Sequence, residues 1–81
     1  MLTFYHYKKN GQLFMLMNES PDQPFDGRVV LPSARPLFVY DGDLDRYCPL
    51  ESSILTRGSA VMLRLEPGQS ILIMEQSQVP A

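Results

Sequence analysis

Cysteine and histidine are scarce in this chain of 81 residues, which has one of each and no tryptophan. A single cysteine excludes an intrachain disulfide. Zinc needs several nitrogen or sulfur ligands, so the sequence predicts no metal site and no cofactor. A chain this short, with neither a disulfide nor a metal, is marginally stable alone, and self-association is one of the usual remedies.

The sequence also lacks a charge excess and long hydrophobic runs. Seven basic and nine acidic residues give a net charge of −2, and the basic residues are scattered along the chain. This balance disfavours nucleic acid as a partner. The longest apolar runs, 13–17 and 71–74, are far shorter than the roughly 20 residues that span a bilayer. The first twelve residues lack the features of a signal peptide, so we expect a cytoplasmic protein without a membrane partner.

Motifs for catalysis are equally sparse. The five glycines are isolated from one another, which excludes a glycine-rich phosphate loop, and no serine lies in a G-x-S-x-G motif. A cysteine–histidine nucleophile would require Cys48 and His6 to meet in space. Cys48 precedes a proline and lacks the small-residue context of known nucleophile motifs. Whether the protein is an enzyme stays open, and the sequence favours a non-catalytic one.

The sequence does contain short segments rich in β-branched, aromatic and other apolar residues, separated by turn signals. The predicted strands are 3–8, 12–18, 28–31, 37–40, 60–66 and 70–76. Asn10-Gly11 predicts a hairpin with a type I′ turn between the first two strands, because that turn needs positive φ at both central residues. Pro67-Gly68 has the residue order of a type II turn and predicts a second hairpin between the last two strands.

Helical signals are weak. Residues 49–56 are the best candidate, because Pro49 suits a first helical turn, but their serine, isoleucine and threonine residues are mediocre helix formers. We expect one or two turns at most, and a frayed tail at 77–81. The chain is therefore predicted to be a single all-β domain spanning 1–81. A small barrel and a two-layer sandwich of about six strands fit equally well.

Two predicted strands, 12–18 and 70–76, are apolar on both faces. In 12–18, Leu13, Met15 and Met17 lie on one face, and Phe14 and Leu16 lie on the other. In 70–76, Ile71 and Ile73 lie on one face, and Leu72 and Met74 lie on the other. A strand that is apolar on both faces must be covered on both, and a chain of this length has few elements to supply the second cover. We therefore expect a homodimer or a protein partner.

The most distinctive local pattern is DGDLDRYC, which begins at Asp41 and places three aspartates on alternate positions. They match positions 1, 3 and 5 of an EF-hand calcium loop, but Arg46 stands where that loop needs glycine and Ser52 where it needs glutamate. An acidic turn, whose carboxylates bond to their own backbone and stay in water, fits the pattern better. Binding of a cation stays open.

The predicted function is a non-catalytic binding or protein-interaction module that self-associates. The predicted contact residues lie in the acidic loop and include the tyrosine and arginine types favoured at binding surfaces. They are Asp41, Asp43, Asp45, Arg46 and Tyr47. The alternative is a β-barrel with a small-molecule pocket, in which His6 or Cys48 could act in catalysis.

Overall fold

The computed structural model describes residues 2–42, 44–56 and 58–79, which form strands and one 3₁₀ turn. The strands are β1 (Leu2–Lys8), β2 (Gln12–Asn18), β3 (Phe25–Leu31), β4 (Leu37–Asp41), β5 (Arg46–Leu50), β6 (Ser53–Leu55), β7 (Gly58–Leu65) and β8 (Ser70–Glu75). The 3₁₀ turn is Gln76–Gln78. The all-β prediction is confirmed. No helix in these ranges is long and apolar enough to cross a membrane.

The strands form two antiparallel sheets. One has five strands in the order β1-β2-β8-β4-β5, and the other has three in the order β3-β7-β6. The pairing of the described strands closes neither sheet into a barrel, so the barrel alternative is not what these strands form. β8 lies at the centre of the larger sheet, between strands from distant parts of the chain.

Both sheets contribute to one hydrophobic core. The larger sheet contributes Phe14, Leu16, Leu37 and Ile73, and the smaller sheet contributes Leu31, Val61, Leu63 and Leu65. On β7 the buried residues alternate with exposed Met62 and Arg64, because successive side chains of a strand point to opposite faces. On β2 of the larger sheet Phe14 and Leu16 are likewise buried in the core, and the residues that alternate with them lie on the opposite face.

The first predicted hairpin is confirmed, with a different loop. Asn10 has a φ of 56° and Gly11 a φ of 117°, as the sequence predicts. The register places Lys8 opposite Gln12, so the loop has residues 9–11 rather than the two residues of a type I′ turn. A Cβ at position 11 would collide with the hydroxyl of Ser77, and the φ of 117° itself favours glycine.

The second predicted hairpin is wrong. The turn itself forms: Gln69 N donates to Glu66 O at 2.9 Å, and Gly68 has a φ of 79°. However, β7 and β8 belong to different sheets, so the turn carries the chain from one sheet to the other. A type II turn matches the twist of a hairpin poorly, and here the end of β2 holds it instead. Asn18 N donates to Gln69 O, and Asn18 O accepts from Gly68 N.

The predicted helix at 49–56 is also wrong, because this segment forms parts of β5 and all of β6. Pro49 pairs with Phe38 in β5, which is an edge strand and therefore tolerates a residue without an N–H. β6 pairs with β7 and forms the edge of the smaller sheet. Strand pairing outweighs the weak helical signal of these residues.

The 3₁₀ turn lies at the start of the segment that the sequence assigns to a tail. It packs against β2 and β8, and the Nε2 atom of Gln78 donates a hydrogen bond to Lys9 O at 2.7 Å. The 3₁₀ turn is thus held against the first hairpin, and residues 80 and 81 lie outside the described ranges.

Candidate functional site

The predicted acidic loop connects β4 to β5. Asp41 ends β4 and is paired with Arg46, which begins β5. Leu44 N donates a hydrogen bond to the Oδ1 atom of Asp41 at 3.3 Å, as the acidic-turn interpretation requires. Asp43 lies outside the described residues. Within 2–42, 44–56 and 58–79, no three His, Cys, Asp or Glu residues are grouped so that they could hold a metal ion.

Two tyrosines flank this loop and contact each other. The rings of Tyr40 and Tyr47 are 5.1 Å apart at their centroids, and the hydroxyl of Tyr40 donates to the Oδ1 atom of Asp45 at 2.8 Å. This hydrogen bond raises the pKa of Tyr40 above its ordinary value of 10.0, because ionisation would remove the donated proton and place a second anion beside the carboxylate.

The predicted contact residues that belong to β4 and β5 lie on opposite faces of the sheet. Along paired strands, Asp41 and Arg46 share the core-side face of the sheet, whereas Tyr47 points to the opposite face with Tyr40. The acidic loop is therefore the end of a hairpin, with different chemistry on its two sides.

A groove opens beside this loop, between β4 and β8. The two strands pair only from Leu37–Glu75 to Val39–Ile73 and then separate. β4 stays paired with β5, and β8 stays paired with β2. The groove has a volume of about 520 Å³, and its walls include Val39, Tyr40, Asp41, Cys48, Ile71 and Leu72. It is the concave site nearest to the predicted contact residues.

The second feature is the face of the five-stranded sheet that points away from the core, which we call the outer face. Its residues are Thr3, Tyr5, Tyr7, Leu13, Met15, Met17, Phe38, Tyr40, Tyr47, Pro49, Ser70, Leu72 and Met74. None of them is charged. Tyr5 and Tyr7 are 54% and 53% exposed, whereas Met74 is buried.

The register aligns these residues in rows across the sheet. One row crosses all five strands and consists of Tyr7, Leu13, Met74, Phe38 and Pro49. The charged residues of the same strands, Lys8, Asp41, Arg46 and Glu75, all occupy the alternate positions. The sequence had indicated two apolar faces on two strands, and the sheet extends the outer apolar face across five.

His6 and Cys48 do not meet. They lie on β1 and β5, the two edges of the larger sheet, and four strand spacings of about 4.8 Å place them about 19 Å apart. A cysteine–histidine nucleophile within one chain is therefore excluded. The ring of His6 stacks on Phe14 with centroids 4.8 Å apart, and its Nε2 atom is 2.7 Å from the Oε1 atom of Gln12.

The sequence prediction missed a buried carboxylate. Glu75 is 3% exposed, and its carboxylate accepts hydrogen bonds from Gln12 N at 2.9 Å, from Gln12 Nε2 at 3.1 Å and from the hydroxyl of Ser33. Burial raises the pKa of Glu75, but these hydrogen bonds and the charge of Arg35 more than offset it, so the pKa lies below its ordinary value of 4.5.

This carboxylate connects three segments. Gln12 begins β2, Glu75 ends β8, and Ser33 belongs to the connection between the two sheets. The Nε2 atom of Gln12 also donates to Pro32 O at 2.8 Å, and the hydroxyl of Ser59 donates to Ser33 O. The alternation along β8, which gives Glu75 the same face as Ile73, could have indicated a carboxylate on the core side.

No family model matches this chain, and comparisons with curated proteins and solved structures found no match.

Proposed function

We propose that this chain is a non-catalytic protein-interaction module, that the outer face is its contact surface for another protein, and that the chain self-associates. One observation carries the proposal: the outer face of five adjacent strands has no charged residue. The centres of protein interfaces are depleted of charge and enriched in tyrosine, phenylalanine and methionine, which make up eight of the thirteen residues on this face.

The exposed tyrosines are the natural anchors of such a contact. Tyr5 and Tyr7 are about half exposed, so a partner that covered them would remove much apolar area from water. Covering the exposed half of one such side chain contributes about 1 kcal/mol. Met15 and Leu72, which continue the row of Tyr5 across the sheet, are half-buried and provide the flat surface beside it.

The test uses the wild-type chain and two variants as baits in a lysate. Met15→Glu places a charge at the centre of the outer face, and Met62→Glu places the same charge on the smaller sheet, where Met62 is 68% exposed. We expect the wild-type chain and Met62→Glu to retain the same proteins, and Met15→Glu to lose them. Circular dichroism verifies that both variants fold. If Met15→Glu retains everything the wild-type chain retains, the outer face is not the contact surface.

The groove between β4 and β8 supports a second candidate function, the binding of a small apolar ligand. Its volume of about 520 Å³ lies within the range of about 300–1,000 Å³ for ligand sites. Val39, Ile71 and Leu72 supply apolar walls. His6 lies at the opposite edge of the sheet and takes no part, whereas Cys48 is one of the residues that line the groove.

The thiol provides the test of this candidate. Anilinonaphthalene sulfonate serves as an apolar probe, and Cys48 is labelled with a thiol reagent in its presence and absence. Occupancy of the groove should slow labelling several-fold, in the wild-type chain and equally in Met62→Glu, because Met62 lies on the other sheet and does not line the groove. An unchanged labelling rate at saturating probe would show that the groove does not bind it.

A further inference from the structure

β1 is a sheet edge without the features that usually prevent strand pairing. It is paired only with β2, spans seven residues, contains neither proline nor glycine, and has one charged residue, Lys8, at its end. The other edges differ: β6 has three residues, β5 contains Pro49, and β3 contains Gly27 between two charged residues. Long, apolar, unprotected edges pair with further strands.

Both faces of β1 expose aromatic rings. Phe4 is 45% exposed on the core side. The centroid of its ring lies 6.0 Å from that of His6 and 5.9 Å from that of Phe14. Tyr5 and Tyr7 are exposed on the outer face. The side chains of a strand added beside β1 would pack against the exposed rings on both faces of the sheet.

The hydrogen bonds at the first hairpin define which backbone groups of β1 are free. Lys9 N donates to Gly11 O at 2.9 Å, and Gln12 N donates to the side chain of Glu75, on the side away from β1. Bonding directions alternate along an antiparallel strand. Residues 3, 5 and 7 therefore bond to β2, and the even-numbered residues direct their N–H and C=O groups to the open edge. These are Leu2, Phe4, His6 and Lys8.

We infer that two copies of this chain join through their β1 strands, antiparallel, with Tyr5 opposite Tyr5 of the second copy. This rests on the proposed self-association and defines its geometry. In this register Leu2 pairs with Lys8 of the second copy and Phe4 with His6 of the second copy, and the reverse pairs follow by symmetry. Every free N–H and C=O group of β1 then has a partner.

Charge also favours this register. Lys8 lies opposite an apolar residue, and the two copies of Lys8 are six residues apart along the paired strands, a separation of about 20 Å. A parallel arrangement would place the two lysines side by side. On the core side, each Phe4 lies beside the imidazole of the second copy, so aromatic rings form one continuous cluster across the junction.

Joining two copies through β1 also enlarges the outer face. Strand spacings of about 4.8 Å and six residues at about 3.3 Å give one outer face a planar footprint of about 480 Å². Joining two sheets of five strands doubles this footprint. Tyr5 and Tyr7 then move from the edge to the centre of the combined face, where the residues that dominate binding usually lie.

Disulfide cross-linking tests this geometry. The variant Tyr5→Cys, in a Cys48→Ser background, is oxidised mildly at micromolar concentration. Residues in a non-hydrogen-bonded antiparallel pair have Cα atoms about 4.5 Å apart, within the range a disulfide spans. We expect a covalent dimer of twice the chain mass. In the same background, Lys8→Cys and Met62→Cys should stay monomeric under denaturing conditions, because neither residue faces its own copy.

Light scattering separates the proposed self-association from the proposed pairing of β1 strands. Phe4→Pro removes an N–H that is free in one copy and bonded in the pair, so this variant should fold and halve the measured mass. A wild-type dimer that resists Phe4→Pro and gives no Tyr5→Cys cross-link would overturn the β1 geometry and leave self-association intact. A wild-type chain that is monomeric at all concentrations would overturn both, while the contact of the outer face with other proteins is decided by Met15→Glu.

Discussion

Glu75 is buried, although carboxylate side chains usually stay in water. A buried carboxylate is costly unless its oxygens are hydrogen bonded. Glu75 has such bonds from Gln12, which is 63 positions away, and from Ser33, which is 42 positions away. The sequence identifies Glu75 as the end of an apolar strand, but it gives no sign of these partners because they come from distant segments.

We predict that Glu75→Gln lowers the free energy of unfolding at pH 7 by about 2 kcal/mol, the range for a hydrogen bond to a charged group. The wild-type pKa lies below its ordinary value of 4.5, so the unfolded chain binds more protons between these two values. Stability should therefore fall as the pH falls from about 4.5 through the folded-state pKa. The variant should lose most of this dependence.

Urea denaturation at pH 7 and at several values below 4.5 measures both effects. Glu66→Gln is the matched control, because the Glu66 side chain is 60% exposed and bonds to Arg64 at the surface. If Glu66→Gln flattens the acid branch as much as Glu75→Gln does, the buried carboxylate is not its cause.

At the scale of elements, local signals locate the strands but do not decide which strands pair. The sequence predicts six strands near their observed positions, since alternation and turn residues are local signals. It misses β5 and β6, because Pro49 and the serines there are poor strand residues that are tolerated only at sheet edges. The turn at Pro67-Gly68 is predicted correctly as a turn and wrongly as a hairpin, because a turn sequence does not specify which sheet the next strand joins.

The start of β7 provides a prediction at this scale. A Cβ at Gly58 would collide with the carbonyl oxygen of Leu31, which is backbone and cannot move aside cheaply. Gly58→Ala should therefore destabilise the protein by about 2 kcal/mol, as overpacking does. Gly27→Ala in β3 is the control, because its nearest neighbour is the ring of Phe25 at an ordinary 3.5 Å. Equal urea midpoints for the two variants would contradict this close approach.

At the scale of the whole molecule, the two sheets depend on one core. Its buried residues come equally from both sheets, so neither sheet has an apolar core of its own. Chains of this size usually unfold in a single transition, and a shared core reinforces that behaviour. A defect placed in either sheet should therefore weaken both.

We predict that Leu65→Ala, at a position 1% exposed, lowers the free energy of unfolding by about 3 kcal/mol through the cavity it leaves. Amide exchange should accelerate in both sheets, including β8, which does not pair with β7. Met62→Ala, on the exposed side of β7, should change stability by less than about 0.5 kcal/mol. Faster exchange confined to the three-stranded sheet would mean that the sheets are stabilised separately.

By itself, the sequence determined the all-β class, the first hairpin, the alternation on β7 and the presence of two apolar faces on two strands. These follow from short-range rules, namely side-chain alternation and the φ requirements of turn residues. Only the tertiary structure decided that β8 lies between β2 and β4, that His6 and Cys48 lie at opposite edges, and that Glu75 is buried. Each of these depends on contacts between residues far apart in the chain, and local patterns carry no information about which distant strands will meet.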